Sequence, residues 1–155
     1  MVFTQLLKSF LAHRGFSEQC LHEDGMGATL EGDDSLVEIA LSEQGDTVFL
    51  TGHLGPVAED DTLRLRIYRG LMVLQGINVE KPHLSLAVTE VEDEEQVVLF
   101  LALPFTVDLD QVGFDNAVGE FLDDYEILNE NLLVDLMLAS PASTTDSPPL
   151  QPRTY

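Results

Sequence analysis

The sequence has a single cysteine, Cys20, among 155 residues. It therefore allows no disulfide within the chain and fits a reducing compartment. Cys20 reads as a small apolar residue rather than a nucleophile. Tryptophan is absent, and the other aromatics, mostly Phe at core-like spacings, offer no platform for stacking bases. Basic residues are scarce: 7 Lys and Arg face 28 Asp and Glu, a formal net charge of -21. Protonating the four histidines would still leave the surface strongly negative, so nucleic acid and anionic membranes are excluded as natural partners. Long hydrophobic runs are missing too. The stretch Val97 to Phe105 is strand-sized, well short of the roughly 20 residues that span a bilayer. The leading MVFTQLLKSFLAHRG places its basic residues within and after the apolar ones and has no small-residue cleavage site, so no export signal is expected. The expected location is the cytoplasm.

Catalytic signatures are equally sparse. His13, His22, His53 and His83 are scattered, and Cys20 with His22 lacks a second ligand pair, so no metal site is expected. Gly25-Met26-Gly27 lacks the third glycine and the following helix of a phosphate loop, and no Gly-x-Ser-x-Gly elbow occurs. The acids from Glu90 to Glu95 lack the alternation and central glycine of a calcium loop and read as a solvated hairpin tip. No catalytic residue and no cofactor is expected.

What is present is a soluble-domain pattern, with 45% hydrophobic residues. Phe3, Leu6, Leu7, Phe10 and Leu11 share one helix face, and Gly15 is a plausible stop. That stripe either seals a core or waits for a partner. Gly27 to Glu31, Leu36 to Leu41 and Thr47 to Leu54 read as strands separated by Gly-Asp turns, a three-stranded antiparallel meander. Gly55-Pro56 ends it, and Glu59-Asp60-Asp61-Thr62 starts a helix from about Leu63 to Leu74. Leu63, Ile67, Leu71 and Leu74 form one stripe there, with Leu65, Tyr68 and Met72 a second. A helix apolar on two sides is enclosed in a core or lies between subunits, and a domain this small favours the subunit interface. Gly70 would let another backbone approach. Arg64, Arg66 and Arg69 pair either with the chain's own carboxylates or with a partner's. His83 to Val91 and Val97 to Leu103 form a later hairpin around an acidic turn, and a helix runs from roughly Asp110 to Leu138. Residues 1–138 read as one domain; residues 139–155, rich in Pro, Ser and Thr, read as a flexible tail.

The order helix, three strands, helix, two strands, helix in a small acidic chain resembles the class I type III secretion chaperones, the Tir chaperone family. The resemblance rests on FTQLLKSFLAHRG, on SLVEIALSEQGDTVFLTGHLGPV with its Leu-Gly-Pro turn, and on LRLRIYRGLMVLQGIN, which looks like the family's dimerisation helix closed by Asn78. HLSLAVTEV, EQVVLFLALPFTVDLD and FDNAVGEFLDDYEILNENL match the late hairpin and closing helix. Gly70 and Gly76 depart from the pattern by interrupting the middle helix. The resemblance implies an α+β chain with a twisted antiparallel sheet, a homodimer in the bacterial cytoplasm. It would hold the N-terminal segment of one or more secreted effectors extended and competent for secretion, for unloading by the secretion ATPase. By analogy the effector-binding residues would be Phe3, Leu6, Leu7, Phe10 and Leu11 with Leu30, Val37, Ile39, Val48 and Leu50. The dimer interface would be Leu63, Leu65, Ile67, Tyr68, Leu71, Met72 and Leu74. A regulatory YbjN-like protein of the same fold and an export-control chaperone serving many effectors remain rival readings; an enzyme using paired carboxylates has no legible constellation behind it.

Overall fold

The computed structural model describes residues 2–57, 59–77 and 84–139. Residues 140–155, which make up nearly all of the expected tail, lie outside them, as do Asn78, His83 and the side chain of Leu74. Helix α1 spans Phe3–His13; a single 3-10 turn follows at Glu18–Cys20. Strands β1 (Gly27–Glu31), β2 (Leu36–Leu41) and β3 (Thr47–Pro56) precede helix α2 (Asp61–Ile77). Strands β4 (Leu84–Val91) and β5 (Glu94–Pro104) and helix α3 (Gln111–Ala139) complete the order. The α+β class and the element order are those expected.

Local chemistry sets the helix ends. Gly15, at φ 78°, ends α1, and Phe16 N–H then reaches back to the Leu11 carbonyl at 2.8 Å, which satisfies an orphan carbonyl of the last turn. Asp60 Oδ2 accepts from Leu63 N–H at 3.0 Å, and Asp110 Oδ1 from Gly113 N–H at 2.8 Å, capping α2 and α3. The middle helix is longer than expected and passes through both Gly70 and Gly76 without interruption. A helix packed along one side tolerates the roughly 1 kcal/mol cost of an interior glycine.

The expected meander is part of one five-stranded antiparallel sheet of order β1-β2-β3-β5-β4. Strand β5 lies between β3 and β4, which accounts for its being apolar on both faces. Its inward residues Val97 and Leu99 pair with Val88 and Leu86, and Leu99 lies beside Gly52 of β3. The β4–β5 turn is tighter than the four acids suggest: only Glu92 and Asp93 form it, at φ 51° and 65°, while Glu94 and Glu95 already belong to β5. Two central residues at positive φ match the right-handed twist of a two-residue hairpin.

The core lies between one sheet face and helices α1 and α3. Ile39, Val48, Leu50 and Leu99 pack there beneath Leu6, Leu7, Phe10, Phe114, Val118 and Phe121. Phe114 meets Phe3 and Phe10 edge-on, each at 6.1 Å between centroids, the arrangement favoured by ring quadrupoles. Helix α2 packs against α3 and β4. A Cβ at Gly52 would sit 2.7 Å from the Tyr125 ring, so only glycine lets α3 approach β3 there. The Tyr125 hydroxyl then donates to the His53 carbonyl at 2.5 Å and accepts from Leu36 N–H at 3.1 Å. One side chain thus ties α3 to two strands.

Candidate polypeptide-binding surfaces

The ten residues expected to receive an effector are core residues, which corrects that expectation. Phe3, Leu6, Leu7, Phe10 and Leu11 are all at most 2% exposed, and Leu30, Val37, Ile39, Val48 and Leu50 at most 5%. The cause is a match of widths. The stripe of α1 faces α3 and the inner sheet residues, so the alternation that marks a strand face as apolar also closes it. Leu30 and Val37 alone among the ten also line a described groove.

Among the described residues, apolar surface is left uncovered on the other side of the sheet. Burial alternates along β2 and β3, with Val37, Ile39, Val48 and Leu50 inward and Glu38, Ala40 and Phe49 outward. Phe49 stacks on Phe100 with ring centroids 5.7 Å apart and planes at 26°. They are diagonal neighbours, since Phe49 pairs with Ala102 and Thr51 with Phe100; long side chains on such positions reach one another. Phe49 remains 37% exposed. Ala40, Ala87 and Ala102 occupy the same face by register, beside Thr47, Thr51 and Ser85. His53 sits at its end, Nδ1 3.0 Å from Gln96 Oε1 and Nε2 3.5 Å from Glu38 Oε2. The signal for this face was in the sequence: Phe49 falls out of phase with Val48 and Leu50, and β5 carries Phe100 opposite its core residues.

The residues expected at a dimer interface divide into three groups. Leu71 is buried in the chain's own core, which corrects its assignment to the interface, and Ile67 and Tyr68 are half-buried against that core. Leu63, Leu65 and Met72 are 44%, 49% and 74% exposed, and Val73 joins them at 37%. Leu65, Met72 and Val73 share the outward side with Arg69. Leu74 lies outside the described side chains. Arg64 pairs within the chain: its Nη2 donates to Glu95 Oε1 at 2.5 Å. Tyr68 donates to the other Glu95 oxygen, and the guanidinium lies 5.6 Å over the Tyr68 ring. This triad fixes α2 to the start of β5.

A groove of about 770 Å³ opens between the β1–β2 turn, α3 and the segment after α1. Among the described residues, no three His, Cys, Asp or Glu side chains are grouped to hold a metal ion. No described helix is long and apolar enough to cross a membrane. These surfaces offer apolar contact and negative charge, the means of binding a polypeptide.

A chain in the crystal structure of the ExsC–ExsE complex superposes with a TM-score of 0.59 at 20% identity, over 90% of this chain and 95% of that one. No family model matches this sequence, and no curated protein is similar to it.

Proposed function

We propose that this chain is a holding chaperone of the type III secretion kind. As a homodimer it binds the N-terminal segment of one or more effectors, keeps that segment extended, and hands it to the secretion apparatus and its ATPase in the bacterial cytoplasm. It acts by holding, with no chemical step of its own. The observation that carries the reading is the Phe49–Phe100 stack on a sheet face that no described helix covers. An aromatic pair of which Phe49 is exposed and Phe100 half-buried, amid small residues, marks a contact surface. The sheet ends in β1 and β4; Leu21 already bridges Ala28 on the outer side of β1, so among the described residues β4 is the edge where an extended segment gains main-chain hydrogen bonds while its side chains reach the face. The likeness to a chain solved in a two-protein complex supports the same reading, and the exposed side of α2 supplies the proposed seam between copies.

Co-expression with the N-terminal segments of secreted proteins from the same cell tests this. The wild-type chain is expected to give a stable complex with at least one segment, and Phe49→Asp to lose it while remaining folded. Failure with every segment, or equal yield with Phe49→Asp, overturns the proposal.

A further inference from the structure

The groove beside the β1–β2 turn has two distinct parts. Its floor is apolar, made by Leu30, Val37, Leu122 and Phe16. Its rim is acidic: Glu31, Asp33 and Asp34 on the turn side, Asp123, Glu126 and Glu130 on α3. Arg14 is the one cation in the lining, and it lies over the Phe10 ring at 5.8 Å with its Nη2 3.9 Å from Asp123. Asn129 joins the two sides, its Nδ2 donating to the Asp34 carbonyl at 2.9 Å. Asp123, Glu126 and Glu130 follow helical spacing along one side of α3, a span of about 10 Å, which matches about three residues of extended chain. The charges are therefore strung along the groove rather than gathered about a point.

We infer that this groove takes a short cationic segment of a partner polypeptide, with an apolar side chain on the floor and Lys or Arg against both acidic walls. The floor rewards burial of an apolar anchor. The rim supplies charge complementarity that six carboxylates against one arginine leave unmet, and it steers encounter with a basic chain while repelling an acidic one. The inference rests on the proposed function only in taking the occupant to be a partner polypeptide.

The test uses the full chain and two fluorescein-labelled synthetic peptides, one alternating Leu with Lys and one alternating Leu with Glu, followed by fluorescence anisotropy. Two variants each lose three carboxylates: Asp123→Asn, Glu126→Gln and Glu130→Gln in the groove, and Glu92→Gln, Asp93→Asn and Glu94→Gln at the hairpin tip. The Lys peptide is expected to bind the wild type and the hairpin variant within about twofold of each other, and the groove variant about tenfold more weakly. Leu122→Ala should weaken it as well with all charges kept, and the Glu peptide should not bind. Unchanged binding by the groove variant overturns the inference. So does equal weakening in both triple variants, which would assign the attraction to net charge alone. A chain that captures secreted segments through Phe49 but ignores the Lys peptide refutes this inference and leaves the proposed function standing; the converse result does the reverse.

Discussion

Tyr125 shows how much one side chain holds in this fold. Its hydroxyl bonds to the His53 carbonyl and the Leu36 amide, and both partners lose it in Tyr125→Phe. The expected loss is about 1–3 kcal/mol, read from urea unfolding, since backbone groups are left without their partner. Gly52→Ala should cost about 1–3 kcal/mol by forcing the ring out of contact with β3. Burial holds the Tyr125 hydroxyl above its ordinary value, against a smaller opposing effect of the Leu36 amide. The Glu95 carboxylate, and then burial, do the same for Tyr68. In each case the folded chain keeps its proton more tightly than the unfolded one, whose tyrosines titrate near about pH 10. Their contribution to stability is therefore full below about pH 10 and is lost as pH rises through the folded-state values. The urea midpoint should fall across that range, and less steeply in Tyr125→Phe.

The elements were legible because their signals are local. The i, i+3, i+4 stripe of α1, the alternation of β2 and β3, the Asp60 and Asp110 caps and the Gly15 stop each act within a few residues. Pairing was not local: nothing near β3 announces that β5, more than forty residues on, lies beside it. The place of the binding surface was not legible for a related reason. An apolar stripe looks the same whether a partner or the chain's own α3 covers it, so Leu6 and Ile39 could pass for a binding surface. Phe49 carried the better signal because it breaks phase with its neighbours. At Glu92 and Asp93 the acidic turn was legible but its length was not: Asp visits positive φ only occasionally and Glu rarely, yet the two-residue hairpin requires it of both. Replacing them with Asn and Gly should stabilise the chain by about 1 kcal/mol in thermal or urea unfolding, because those residues suit the turn.

At the scale of the whole molecule, a chain of net charge -21 carries apolar ground on two sides, the outer sheet face and the outward side of α2. Like charge keeps such surfaces from associating at random, while a specific seam can still form where the charge is low. On the proposed dimer, Met72→Asp should therefore give a monomer by light scattering, and the monomer should stay folded, since Met72 is 74% exposed. Leu71→Asp should instead unfold the chain, because it buries a charge within it.

The most direct measurement is hydroxyl-radical footprinting of the wild-type chain, free and in complex with a captured secreted segment. Phe49 and Phe100 should be oxidised in the free protein and protected in the complex, while Phe10 and Phe114 stay unreactive in both. Phe49 and Phe100 equally reactive in the two states would contradict the account.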